Sequence, residues 1–371
     1  MTVKRKSKNK NKHWVSLALL ALITIFFKSC GIKPNSWKPP TKPEFTDKLK
    51  INKELLSSQK IDLNGWYGPE DILFDDEGNM YCGVHIAEND FSDGKILKIA
   101  SNGEVEIYYH ANSWVAGLHF DANNNLIALS HKEGLISISP QKQVTVLAKK
   151  DEKGREFLIP NGLDIASDGN IYFSNTSHKS AYNVKFGRKL IMELKEDGGL
   201  YKYNPKTNKV STLIDGTYFG NGVVLSKNED FLLLTETSKY RVLKYWLKGD
   251  KKGTQEIFMA NLPGFPNGIS IRENGSFWLG FSTVRNDMLD NIHSKKFMKK
   301  VTFGLPEFLQ PKQEAFGMIL NVSEKGEIIS ALFDDSGKII PEAGAVKQKK
   351  NTLYIGGDNL PYVAYYSISK D

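Results

Sequence analysis

A pair of strand-like runs recurs along the chain, and such a repeat confines it to architectures that stack one supersecondary unit many times. The clearest copies are Asp71–Gly83 (DILFDDEGNMYCG), Gly117–Ser130 (GLHFDANNNLIALS), Gly162–Asn175 (GLDIASDGNIYFSN), Gly222–Glu236 and Gly268–Phe281, with a more degenerate copy from Gly317 (GMILNVSEKGEIISAL). Each joins two apolar runs through a turn, Gly78-Asn79 in the first. After most copies a second pair follows, as in Gly94–Tyr109, Gly134–Ala148 and Gly199–Ile214. The period of roughly 45 to 60 residues is that of propeller blades with loop insertions. The expectation is an all-β, six-bladed β-propeller with four-stranded antiparallel blades over residues 60–371. Closure of the ring predicts that the short strand Lys60–Leu63 pairs with the last segment, Thr352–Ile368, which leaves no open sheet edge. Two inserted loop or helix segments, Thr176–Asp197 and Thr283–Glu314, each interrupt a blade on the side where the repeat's first strand ends or turns. Rich in Lys and Arg and in exposed-looking apolar residues, they suit lids over a pocket, feet on a membrane surface, or solvated loops.

Charge places the N-terminus apart from the rest. The formal net charge is +8, but Lys4, Arg5, Lys6, Lys8, Lys10, Lys12 and Lys28 precede Cys30 with no acid among them, so everything beyond carries only +1. That balance gives no field to steer the body toward polyanions, and nucleic-acid binding is excluded. The apolar run Trp14–Phe27 is fourteen residues long, short of the roughly 20 that span a bilayer as a helix. Residues 1–29 therefore read as a signal peptide or signal-anchor, and residues 30–59, with Pro34, Pro39, Pro40 and Pro43, as a polar, Pro-rich linker. Cys30 stands where a bacterial lipoprotein carries its lipidated cysteine, with an uncleaved signal-anchor as the alternative. Either reading exports the propeller and holds it at a membrane. The other cysteine, Cys82, lies in a strand-like run and reads as a small buried hydrophobe.

Four blades start with one kind of motif: Gly68-Pro69-Glu70-Asp71, Pro160-Asn161-Gly162, Gly220-Asn221-Gly222 and Pro266-Asn267-Gly268. The loop leading into a blade's innermost strand lies at the channel mouth, so Glu70, Asn161, Asn221 and Asn267 should converge on the axis. One carboxylate and three amide carbonyls form a hard oxygen set suited to Ca²⁺. The glycine after each Asn is read as allowing a tight turn. Asn-Gly is also a plain turn former, but three at one position of a repeat, with Glu at the same place in the first blade, point to a shared site.

At these residues the chain resembles the strictosidine synthase-like propellers of the adipocyte plasma membrane-associated protein type, within the gluconolactonase and paraoxonase superfamily. The resemblance covers nearly all of residues 61–368 and is most specific at GPEDI, NGLDIASDGNIYFSNTS, GNGVVLSKNEDFLLLTETSKYRV and LPGFPNGISIRENGSFWLGFSTVRN. It implies a six-bladed propeller, a calcium ion in the central tunnel and, in several members, hydrolysis of lactones or aryl esters. The chain departs from the family at three places. Asn267 stands where the calcium-dependent hydrolases usually carry Asp, Ala116 where paraoxonase-like enzymes carry a catalytic His, and the segment Ala343–Lys347, where strictosidine synthase has its Glu, has no acid. A Pictet-Spengler reaction is therefore not expected.

Of the remaining groups, His85, His110, His119, His131, His178 and His293 show no metal-ligand spacing and read as packed or surface residues. Ser174 and Ser177 lack the Gly-x-Ser-x-Gly context of a serine hydrolase. Tyr81, Tyr172, Phe173, Phe231 and Trp278 read as core between blades, at corresponding strand positions. Two functions remain open, a calcium-dependent hydrolase of lactones or activated esters and a non-catalytic propeller that keeps a structural ion and binds a small ligand or protein. For the hydrolase, sequence alone sets neither Asp71 nor Glu236 against the metal as general base.

Overall fold

The computed structural model describes residues 13–17, 20, 31–181 and 186–368. It separates into a large body of residues 40–186, 196–285 and 313–371 and a small body that takes in the chain up to Pro39 with residues 187–195 and 286–312. The apolar run is only partly described, and Cys30 lies outside the described residues. Among the described residues, no helix is long and apolar enough to cross a membrane.

The large body is the six-bladed propeller. Its strands form six four-stranded antiparallel sheets. The innermost strands of blades 1 to 6 are Ile72–Phe74, Val115–Phe120, Pro160–Ile165, Gly220–Leu225, Gly264–Ile271 and Ala345–Lys349. Each touches the next, and the sixth touches the first. The ring closes as expected: Gln59–Asp62 pairs with Tyr362–Ser367, Lys60 opposite Ala364, so the first strand of the body completes the blade built by its last three.

The degenerate sixth copy is corrected. Gly317–Val322 and Ile328–Asp334 are the two outer strands of blade 5, and the inner pair of blade 6 is Ala345–Lys349 with Thr352–Gly356. An outer pair shows the same alternation and a glycine turn, here at Gly326 (φ +83°). The true sixth pair turns on Lys350 in the left-handed region (φ 51°). The count of six was right because one false copy replaced one missed copy.

Packing between blades supplies the core. Leu73 and Tyr81 of blade 1 meet Leu118 and Ala128 of blade 2, and Trp278 and Ile319 of blade 5 meet Val346 and Ile355 of blade 6. Cys82 is fully buried in the contact of blade 1 with blade 6, and burial pushes its thiol up to about 12. The five aromatic residues are all buried. Tyr81, Tyr172 and Trp278 occupy one register position, opposite Leu73, Asp164 and Ser270, whereas Phe173 is one position away, opposite Leu163. In blade 4 that position falls to Leu233, so Phe231 is two residues off.

The glycines that start the blades serve a different purpose from the one read in the sequence. Gly162 and Gly222 are absent from the positive-φ residues. What they permit is contact: a Cβ at Gly162 would lie 2.7 Å from the Asn221 carbonyl oxygen, and one at Gly222 would lie 2.8 Å from that of Asn267. Neighbouring inner strands approach so closely that no side chain fits between them.

Much of the expected linker is also bound. Asn52 donates from Nδ2 to the Ala331 carbonyl and accepts the Phe333 N–H, Leu55 joins the core of blades 5 and 6, and Tyr366 donates to Glu54. Proline-rich composition suggested a spacer, but the residues that follow the prolines, Asn52 to Leu55, dock. The two insertions carry α1 (Phe186–Glu193) in the first and α2 (Asp287–His293) and α3 (Lys296–Gly304) in the second. They leave blades 3 and 5 after their second strands. In the small body Ile32, Met192 and Ile292 form an apolar centre, and Lys33 and Asn35 donate their N–H groups to the side chain and carbonyl of Glu193.

Replacing Gly222 by Ala inserts a methyl group against Asn267 and Ile269. Overpacking of this kind costs about 1–3 kcal/mol, so the urea midpoint should fall while the slope of the transition stays as in wild type. A wild-type midpoint would show that the inner strands have room to separate.

Candidate functional site

The inner strands start irregularly. Register slips occur between Val115 and Gly117, Pro160 and Leu163, Gly220 and Val223, and Pro266 and Ile269. A bulge leaves a residue outside the ladder and re-aims its side chain. Asn161, Asn221 and Asn267 sit in these slips, and Glu70 precedes the first inner strand. All four line a single cavity of about 130 Å³. They are buried, none more than 7% exposed.

Their hydrogen bonding is one-sided. Asn267 donates from Nδ2 to Ser282 Oγ at 2.9 Å, and Asn221 donates from Nδ2 to Thr237 Oγ1 at 3.5 Å. The opposite oxygens, Asn267 Oδ1 and Asn221 Oδ1, are buried without a partner, as is Glu70 Oε2. Buried polar atoms normally find partners because desolvation is otherwise uncompensated. With Ser270 Oγ, also partnerless, four residues lining one cavity carry orphan oxygens, and the three at the blade starts make a donor set for a hard cation. Among the described residues, no three His, Cys, Asp or Glu side chains are grouped to hold a metal; here amide oxygens supply most of the set.

Two acids missed in the sequence stand beside Glu70. Burial, and then the neighbouring Asp358 carboxyl, hold the Glu70 carboxyl well above its usual range. Glu342 is pushed up to about 8 by burial first and Asp358 next. It accepts the Asn359 N–H at 2.8 Å and a bond from Gln313 Nε2 at 3.3 Å. Asp358 Oδ1 is another buried oxygen with no partner. Glu342 immediately precedes the acid-free segment 343–347, and neither acid belongs to a blade-start motif. Only the proximity of blades 1 and 6 reveals them.

His85 is a packed histidine, fully buried. Its Nδ1 lies 2.7 Å from the Ala87 carbonyl and its Nε2 2.6 Å from that of Asp358. With Trp114, which donates to the Gly68 carbonyl, it fixes the loops that carry Asp358 and Glu70.

Three residues further along the inner strands the cavity turns ionic. His119, read as a packed histidine, lines it with Asp71, Asp164, Ser270 and Lys347. His119 Nε2 is 3.3 Å from Asp164 Oδ1. Burial alone would lower His119 and raise Asp164, but their mutual attraction wins, so His119 stands above and Asp164 below its ordinary value. Asp71 is raised by burial, against the pull of Lys347. Its oxygens accept the N–H groups of Ile72 and Leu118. Glu236, the other acid considered as a base, does not line the cavity; it pairs with Arg241 and accepts the Tyr218 N–H. Ala116 lines the cavity, so blade 2 offers no imidazole at its start and a histidine three residues on. The signal for His119 was its register with Asp164, visible only once each strand pair is aligned.

Comparison with known proteins agrees with the resemblance and the fold read in the sequence. The Strictosidine synthase family model matches residues 161–250 and the Strictosidine synthase-like, N-terminal model matches residues 47–99. The adipocyte plasma membrane-associated protein of Bos taurus is 28% identical over 374 residues, spanning 94% of this chain and 87% of that protein. A gluconolactonase from Xanthomonas campestris superposes with a TM-score of 0.59 at 15% identity, covering 90% of this chain and 96% of its own. A calcium-binding protein, regucalcin, from Agrobacterium tumefaciens does so at 0.57 and 11%, covering 84% and 94%. At such identities the two structures speak to the fold alone. Both family models, the near full-length relative and the six-bladed ring agree: the chain is a six-bladed β-propeller that resembles the strictosidine synthase-like proteins.

Proposed function

We propose that the channel mouth binds Ca²⁺ through Glu70, Asn161, Asn221 and Asn267, and that the propeller hydrolyses small lactones or aryl esters. On this reading it is exported and tethered to a membrane by its N-terminus. The observation that carries the metal site is the set of buried, partnerless oxygens on Glu70, Asn221 and Asn267 around one cavity. A gluconolactonase and a calcium-binding protein share the fold, and a membrane-associated relative supports the tether. Ca²⁺ at such a site polarises a carbonyl oxygen and steadies an oxyanion. The chain's own contribution is His119: oriented by Asp164, it is the cavity's side chain best suited to move a proton near neutral pH.

One observation favours the second reading, a non-catalytic binding propeller with a structural ion. Asp71 and Asp164 already use both carboxylate oxygens on backbone N–H groups, Asp164 on those of Ile165 and Leu225. No carboxylate beside His119 is left over as a base.

Calcium at a hundredfold excess over its Kd should stabilise the fold by about 2.7 kcal/mol. Glu70→Gln should abolish the rise in melting temperature. A melting temperature indifferent to both millimolar calcium and chelator rules the ion out.

The pH dependence follows from Glu342, whose folded value of about 8 exceeds its ordinary 4.5. Folding holds the proton that the unfolded chain releases, so this group's favourable contribution is full below about 4.5 and is lost as pH rises toward about 8. Urea unfolding in chelator should show that decline, and Glu342→Gln should flatten it. Because calcium favours ionised carboxylates, its stabilising effect should widen over the same range. A chelated protein equally stable near pH 5 and pH 8.5 contradicts the assignment.

Asn267→Asp separates the two functions. A second carboxylate should tighten calcium binding; in a hydrolase it should also raise turnover of phenyl acetate or simple lactones at low calcium. His119→Ala should lower that turnover by about 10²–10⁴-fold with calcium affinity unchanged. If calcium tightens but neither variant moves hydrolysis, the binding propeller is correct.

A further inference from the structure

The near-neutral +1 of the chain beyond Cys30 conceals a separation of charge. Residues 31–39, 187–195 and 286–312 of the small body hold ten Lys and Arg against four Asp and Glu, while the propeller holds 33 against 38. Lys33, Lys38, Lys295, Lys296 and Lys312 are exposed. The same small body carries bare apolar side chains. Phe297 and Phe308 are 73% and 79% exposed, the most exposed phenylalanines among the described residues, and Met288, Met298 and Leu309 are exposed as well. Bulky apolar groups interspersed with lysines are the composition of a surface that lies in a lipid interface.

The chain's path identifies what covers this surface. Ile32 is buried with Met192 and Ile292, Lys299 donates from Nζ to the Asn35 carbonyl at 2.8 Å, and Trp37 donates its N–H to the His293 carbonyl. Four residues, Lys28 to Gly31, separate the apolar run Trp14–Phe27 from this anchorage. Fully extended, the five steps from Phe27 to Ile32 span about 17 Å, so a membrane that receives the run lies within that distance of Ile32.

We infer that the small body docks on an anionic bilayer surface, its exposed phenylalanines and methionines among the headgroups and its lysines on lipid phosphates. The inference rests on the N-terminal tether and is independent of the metal site and the hydrolase.

The test uses the full chain in lipid nanodiscs, one set zwitterionic and one containing phosphatidylglycerol. Elution with the discs reads the tether; oxidation of Met288 and Met298 by hydroxyl radical and amide exchange over residues 294–309 read the docking. In anionic discs both should slow at least about fivefold relative to zwitterionic ones. High salt and Lys295→Gln/Lys296→Gln should erase the difference, since surface charge is screened. Phe297→Ser/Phe308→Ser should weaken protection about tenfold or more without altering the melting temperature. Equal oxidation in the two discs while the chain remains disc-bound overturns the docking and leaves the tether standing. Protection that appears without lipid and grows with protein concentration assigns the surface to a second copy and likewise overturns it.

Discussion

Around the propeller's channel, backbone packs against backbone. Inner strands of successive blades approach until the Cβ position of one residue is filled by the carbonyl of the next blade, as at Gly162 and Gly222. With the strands at this spacing, Asn161, Asn221, Asn267 and Glu70 share a cavity of about 130 Å³ although their blades are far apart in sequence. The bulges that place the asparagines and the glycines that follow them form one device. The bulge releases a side chain from the ladder, and the glycine lets the neighbouring strand close over the released position.

Electrostatics at the mouth follows from that closure. Glu70, Glu342 and Asp358 come together in a buried setting where negative charge is poorly solvated, so the carboxyls of Glu70 and Glu342 hold their protons to unusually high pH. A cation would relieve this repulsion and supply partners for the orphan oxygens together. Deeper in the cavity, His119 and Asp164 balance each other and Lys347 offsets Asp71. One end of the cavity therefore calls for positive charge and the other is internally compensated.

The two bodies divide the chain's physical character between them. The propeller is slightly acidic and packs most of its large apolar side chains between blades. The small body is basic and leaves Phe297 and Phe308 bare. Overall charge hid this, because opposite excesses in interleaved stretches cancel, and only the grouping of residues 31–39, 187–195 and 286–312 in space separates them.

Local sequence determined the repeat, the number of blades, the closure of the ring by Gln59–Asp62 and the convergence of Glu70 with three asparagines, because alternation, turn residues and repeat position are all local. It could not distinguish an inner from an outer strand pair, which is why Gly317 was taken for the start of a blade; both kinds of pair satisfy the same period of two. Nor could it find Glu342, Asp358 or the His119–Asp164 pair, whose importance depends on which strands face one another across the channel. The purpose of the blade-start glycines was equally hidden, since a residue needed for a turn and one needed for close approach look alike until the neighbouring backbone is in place. Tertiary structure decided these matters because burial and the distance between chain segments, unlike periodicity, are properties of the closed ring.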